Sequence, residues 1–424
     1  MSYSSPIESQ FTITPIGLGA NFISGYAFKS QDFCEKGLPV IKIKNIQDRL
    51  VTTASSQCVS PDLITEKLKK FLLDNGDVLI AMTGQGSVGR VGKLQCTKKQ
   101  HPVMNQRVGK FVTDEVSLHK DFLYYVISSE TYESHLFAMG SGSGQPNLSP
   151  AEILSVGIPQ PAYQEQVEIA AILTALVDRI ALLRETNTTL EAIAQALFKS
   201  WFVDFDPVRA KQEGREPEGM DADTAALFPD SFEESELGLV PKGWKIGKVD
   251  NILSRLSAKV RYTKDQIITD GVIPIYEQGA GILLGYHNGP AQFLADERNP
   301  AFIFGDHTCV THLSCEPFDI SQNVIPLKGK DRATLWVYYA VKDKQAFQEY
   351  RRHWMELIVK DIVIPTPQIC EAYANIVSIY HLKMESNVHQ LRTITSIRDT
   401  LLPRLISGQL RIPEAEALIE ETAA

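Results

Sequence analysis

The residues Gly84-Gln85-Gly86-Ser87-Val88-Gly89-Arg90-Val91 have the glycine spacing of a phosphate-binding loop. That loop needs a lysine on the β- and γ-phosphates and a hydroxyl on magnesium, in the pattern G-x-x-x-x-G-K-[ST]. Arg90 and Val91 occupy those two places, and Gly92 opposes a following helix. The stretch predicts a glycine-rich turn whose backbone can approach a nucleic-acid phosphate, rather than a nucleotide site. His307, Cys309 and His312 are ligand types for a transition metal. On a strand, 307 and 309 share one face and 312 points to the other. Their spacing fits no standard zinc pattern, so no metal is expected.

Other constellations fall short as well. Asn299-Pro-Ala-Phe302 lacks one proline of the Asn-Pro-Pro-Phe site of amino-methyltransferases, and Gly17-Leu-Gly19 is too isolated to be a cofactor loop. Pro61-Asp62 with Glu66-Lys67 is too compressed for a restriction-type nuclease core and reads as a helix start. No set for nucleophilic catalysis stands out. The expectation is a chain with no catalytic residues and no cofactor of its own. Six scattered cysteines without a C-x-x-C pair predict free thiols in a reducing cytoplasm. No run reaches the roughly 18 apolar residues of a membrane span.

Binding chemistry remains. In the first half, basic and amide-rich stretches comprise Lys42, Lys44 and Asn45, then Gln85, Ser87 and Arg90, then Lys98-Lys99-Gln100-His101, then Asn105, Gln106 and Arg107. In the second half they comprise Lys242 to Lys248, Arg255 to Lys264, Gln278, His287, Asn288, His307, Thr308, Asn323, Arg351 and Arg352. Arginine and lysine hold phosphates or guanine, and asparagine and glutamine read adenine edges. A net charge of −9 argues against a nucleic-acid partner only until it is located. Residues 204–236 contain eleven Asp/Glu and three Arg/Lys, a net of −8, so the rest is close to neutral.

Side chains that read DNA need rigid supports. Ile169, Leu173, Leu176, Ile180, Leu183, Asn187, Leu190, Ala194, Leu197 and Trp201 follow one another in steps of four and three. That is the seam of a coiled coil, on a helix expected over residues 161–201. Adding 204 to each number gives Tyr373, Val377, Tyr380, Met384, Asn387, Leu391, Ile394, Arg398, Leu401 and Leu405, a second seam. The chain repeats itself. The two helices are expected to pair antiparallel, with paired residue numbers totalling 574, which sets Ile169 against Leu405, Trp201 against Tyr373 and Asn187 against Asn387. The expected pairing residues are Leu176, Ile180, Leu183, Asn187, Leu190, Met384, Asn387, Leu391 and Ile394.

The predicted organisation is α+β, with two globular domains separated by two long helices in a pseudo-twofold repeat. The first domain spans 1–157, its helix 158–202, an acidic solvated linker 203–240, the second domain 241–362, its helix 363–412 and a fraying tail 413–424. Strands are expected near residues 39–46, 77–82 and 107–112, and helices near 61–73 and 120–139. Residues 300–305, Gln322-Asn323 and Tyr338-Tyr339 echo residues 77–82, Asn105-Gln106 and Tyr124-Tyr125.

Ile158-Pro-Gln-Pro161 and Ile364-Pro-Thr-Pro367 precede the two helices. The tract Gln195-Ala-Leu-Phe-Lys-Ser-Trp-Phe-Val-Asp-Phe-Asp-Pro207 is followed by Phe228-Pro-Asp-Ser-Phe232 and Val240-Pro-Lys-Gly-Trp244. Together these make nearly the whole chain resemble the specificity subunit of type I restriction–modification enzymes. No Pro-x-Gly-Trp segment opens the first half. The resemblance implies two target-recognition domains, each reading half of a bipartite double-stranded DNA site, with the helices setting the unread gap. It also implies two modification subunits that use S-adenosylmethionine, and restriction–translocase subunits that use ATP and magnesium. The competing expectations are a structural coiled-coil adaptor without DNA affinity and a single-chain DNA methyltransferase or nuclease.

Overall fold

The computed structural model describes residues 5–97, 100–141 and 146–423. The chain forms two compact units, Met1–Ala181 with Arg392–Ala424, and Leu182–Leu391. Both boundaries fall inside long helices, Tyr163–Phe202 and Pro367–Ser407. Gly408 takes φ +78°, open to a residue without a Cβ, and ends the second of these.

In the first unit one sheet has the order Ala20–Ser24, Val108–Thr113, Val78–Ala81, Val91–Gln95, Leu50–Thr52, Ile46–Gln47. Its first four strands are mutually antiparallel. Val78–Ala81 is buried throughout, which explains why its sequence is apolar without alternation. A smaller sheet includes the parallel pair Val103–Met104 with Leu38–Ile41. Helix Lys120–Ile127 contributes Phe122, Leu123 and Val126 to the core. Ile13–Pro15 pairs antiparallel with Gly157–Pro159, just before the long helix.

The second unit repeats this wiring with different side chains. Leu253–Arg255, Val324–Gly329, Ala301–Gly305 and Thr311–Ser314 form a four-stranded antiparallel sheet in the same relative order. Asp319–Ile320 pairs in parallel with Ile273–Tyr276, and Thr334–Val341 is the covering helix. Lys245–Lys248 pairs antiparallel with Asp361–Ile364 before the second long helix. The first unit therefore has its own opening strand, Ile13–Pro15, although it lacks the Pro-x-Gly-Trp signature.

In each unit, seam residues of the two helices share a core. Ile169, Leu173 and Leu176 share a cluster with Leu401 and Leu405. Ala194 and Trp201 share another with Tyr373 and Val377. Trp201 and Tyr373 have ring centroids 6.2 Å apart, and the Tyr373 hydroxyl donates to the Ala194 carbonyl at 2.9 Å. Ile180 and Leu183 are buried, while Leu190, Met384, Leu391 and Ile394 are half-buried. The Asn387 side-chain amide, fully buried, donates to Asn187 Oδ1 at 2.7 Å.

Several expected elements differ. Residues 61–73 contain only two short 3-10 turns, Pro61–Leu63 and Lys69–Phe71. Residues 120–139 are two helices, Lys120–Ile127 and Glu130–Gly140, because Ser128 and Ser129 interrupt them. The segment read as a solvated linker is folded: it holds helices Asp206–Gln212 and Ala222–Ala226 and the hairpin Phe232–Ser235 with Gly238–Pro241. Val208 and Phe228 enter the second core, and Lys211 Nζ donates to the Ala225 and Phe228 carbonyls. Its few apolar residues are spaced to meet that core, a pattern its high charge conceals. The C-terminal segment is helix Ile412–Ala423 rather than a frayed tail, with Ala415 fully buried against the first core.

Candidate nucleic-acid interface

Three loops meet at one end of the central sheet in the first unit. Residues 42–45 follow Leu38–Ile41, residues 82–90 join Val78–Ala81 to Val91–Gln95, and residues 105–107 lead into Val108–Thr113. The Asn105 N–H donates to the Ile41 carbonyl and the Met82 N–H to the Arg107 carbonyl, both at 2.9 Å. A Cβ added at Gly84 would stand 3.0 Å from Ile43 Cδ1, so the glycine turn lies directly on the first loop. The second unit builds the same junction. The Ser321 N–H donates to the Tyr276 carbonyl and the Asp306 N–H to the Asn323 carbonyl, both at 2.9 Å. A Cβ added at Gly305 would stand 2.7 Å from Gln278 Cβ. Loops 277–281, 306–310 and 321–323 thus correspond to 42–45, 82–90 and 105–107.

Thirteen of the residues singled out for DNA fall on these loops. Gln85, Gln106 and Arg107 are exposed, and Ser87 and Asn105 are half-exposed. Lys42 Nζ reaches Gln57 Oε1 and stands 4.3 Å over the Phe33 ring. Partial burial, and then the neighbouring Lys44, holds its ammonium below the usual range. Lys44 is exposed and donates to the Ser55 carbonyl at 3.1 Å. Arg90 is exposed beside them, over a cavity of about 440 Å³ lined also by Asp48, Arg49 and Glu133. Burial raises the Glu133 carboxyl above its ordinary range. In the second unit Gln278, His307, Thr308 and Asn323 converge. Asn323 takes the left-handed backbone at φ +60°, which an asparagine tolerates. Arg352 stands beside them, strongly exposed and 3.7 Å from Asp306.

Four of these residues have other work. Asn45 is buried, and its amide donates to the Thr52 and Ala54 carbonyls and to Ser56 Oγ, so it organises its loop instead of facing a base. His287 is buried between Asp319, 2.8 Å from Nε2, and the Gly289 N–H, which donates to Nδ1 at 3.0 Å. Both ring nitrogens are committed inside the fold. Asn288 is exposed but accepts from the Val272 N–H, at the opposite end of the strand Ile273–Tyr276 from Gln278. Arg351 is drawn to Glu349 and Glu356 at 3.3 and 2.9 Å. Lys98 and Lys99 lie outside the described residues.

Sequence reasoning missed two aromatic side chains. Tyr26 is bridged to Asn105 and exposes more than a third of its surface. Tyr350 is 72 % exposed and its ring packs edge-on against His307 at 4.7 Å. Nothing in a single sequence separates an exposed tyrosine from a core one; the loops they occupy have no periodicity to read. Among the described residues no group of three or more His, Cys, Asp or Glu is arranged to hold a metal ion. Nor is any helix long and apolar enough to cross a membrane.

A family model described as the type I restriction modification DNA specificity domain matches residues 19–192. The specificity subunit of the MjaIX type I restriction enzyme of Methanocaldococcus jannaschii is 23 % identical over 386 residues, covering 83 % of this chain and 82 % of its own. The corresponding HindI subunit of Haemophilus influenzae is 24 % identical over 355 residues, covering 68 % and 77 %. Over most of its length the chain is similar to type I restriction–modification specificity subunits. Its fold is that of the S subunit from M. genitalium, superposing with a TM-score of 0.61 over 96 % of this chain and 99 % of that one, at 15 % identity.

Proposed function

We propose that this specificity subunit reads a bipartite double-stranded DNA target, one half with the loops 42–45, 82–90 and 105–107 and the other with 277–281, 306–310 and 321–323. The observation that carries this reading is the recurrence of one three-loop junction, on the same strand wiring, with different side chains in each unit. Identical wiring keeps the mode of approach, and different side chains make the half-sites differ. The long helices set the length of the unread gap. The chain contributes recognition and assembly and no catalysis, and it works in the cytoplasm. Two modification subunits bring S-adenosylmethionine, and restriction–translocase subunits bring ATP and magnesium. Exposed Leu182, Ile193, Ile379 and Val388 on the long helices supply apolar surface for such partners.

The reading predicts salt-dependent binding to duplex DNA, since neutralising phosphates releases counterions. Binding by the chain assembled with its modification subunits, titrated in salt, tests it. An adaptor without DNA affinity gives no such dependence, and a single-chain enzyme would methylate or cut without partners.

A further inference from the structure

Cys34 and Cys58 lie directly opposite each other on the neighbouring antiparallel strands Phe33–Cys34 and Cys58–Val59 of the smaller first-unit sheet. Opposed residues of such a pair have Cα atoms about 4.5 or 5.5 Å apart. Both distances lie within the roughly 4.4–6.8 Å that a disulfide spans. The two side chains project from one face of the sheet. Cys34 is exposed and Cys58 half-buried, so a small oxidant reaches the pair from solvent. The Cys34 thiol donates to the Lys36 carbonyl, at 3.0 Å.

The strand carrying Cys58 also leads out of the support of loop 42–45. Gln57 accepts from Lys42 Nζ, Ser56 Oγ accepts from the Asn45 amide, and the Val40 N–H donates to the Gln57 carbonyl at 2.8 Å. We propose that Cys34 and Cys58 are a reversible oxidation site for low-molecular-weight disulfides of the glutathione class, and that closing it stiffens this support. The Cys34 thiolate attacks one sulfur of the oxidant, breaking its S–S bond and releasing one thiolate, which takes up a proton. The Cys58 thiolate then attacks the Cys34 sulfur of the mixed disulfide and expels the second thiolate, which is protonated in turn. Two protein thiols are oxidised and one small disulfide is reduced to two thiols. Exposure at Cys34 leaves the bond open to attack by a reducing thiol, so it reopens under reduction.

The site stands independently of what the chain reads. The test exposes the full chain to glutathione disulfide, alkylates the remaining thiols and maps peptides without reduction. The expected result is a Cys34–Cys58 cross-link that dithiothreitol removes and that C34S and C58S abolish, with Cys96 and Cys309 alkylated. Backbone amides of residues 42–57 should then exchange hydrogen at least about tenfold more slowly in the oxidised chain, the direction expected when a cross-link restricts opening. Glutathione retained on Cys34 alone, cross-links between two chains, or a cross-link that leaves this exchange unchanged would each overturn the proposal.

Discussion

Asn387 donates its side-chain amide to Asn187 Oδ1 at 2.7 Å, and Asn187 in turn donates to the Met384 carbonyl at 3.1 Å. These two amides stand in largely apolar seams, 200 residues apart in sequence, and they meet. A buried polar pair of this kind fixes which residues face one another, because any shift leaves an amide without a partner in an apolar layer. Asn387 Oδ1 already has no partner among the described residues, so the pair has a cost in stability.

Replacing one partner and replacing both should therefore have opposite consequences. N187L leaves the Asn387 amide buried without its acceptor and should destabilise the chain by about 1–3 kcal/mol. N187L/N387L should recover most of that loss, as both polar groups go together. Denaturant unfolding of the two single variants and the double variant measures the coupling.

His287 should matter to stability rather than to recognition. Its partner Asp319 is fully buried and also accepts from Gln292. H287A leaves that carboxylate short of a donor and should cost on the order of 2–3 kcal/mol. Affinity for DNA, compared at a temperature where both proteins are folded, should fall far less than in Q278A.

The pH dependence of the second unit should turn partly on Glu385. Burial raises its carboxyl to about 7; Glu316 adds to the rise, while the Cys315 N–H and His389 oppose it. The folded chain thus holds a proton that the unfolded chain has released above its ordinary value of 4.5. This contribution to stability is full below pH 4.5 and is lost as pH rises through about 7. E385Q keeps an acceptor for Cys315 and should be more stable than the parent by roughly 1–2 kcal/mol at pH 8, with the advantage gone at pH 4.5. His381 works in the other direction: burial lowers it to about 4, so its contribution is lost as pH falls from 6.5. Unfolding of the parent and of E385Q measured across this window separates the two.

The acidic connector should behave as part of a core. Phe228 is 2 % exposed and its ring stands edge-on to Trp201, with centroids 5.1 Å apart. F228A should cost about 3–5 kcal/mol, whereas truncating a side chain in a solvated linker costs almost nothing. Thermal unfolding of the full chain decides between the two.

What the sequence made legible was set by periodicity. A 3.5-residue repeat of Leu and Ile survives in two copies, so the seams, their mutual register and the Asn187–Asn387 contact could be derived by counting. The central strands could be read because Val78–Ala81 and Ala301–Gly305 are buried on both faces and carry uninterrupted apolar runs. The connector was misread because eleven acids outweigh in composition the few residues, Val208 and Phe228 among them, that decide its packing. The loops were legible only as chemistry. An amide such as Asn45 has the same letter whether it faces a base or ties down its own turn, and only the carbonyls around it distinguish the two.

Each unit should read its own half of the target with its own three loops. Changing Gln106 and Arg107, exposed on the first unit, and sequencing methylated bases in cells carrying the variant with modification subunits tests this. The account predicts a bipartite motif in which one half is relaxed or altered while the other half and the gap stay the same. Methylation of an unchanged motif at an unchanged level, or simultaneous change in both halves, would contradict it.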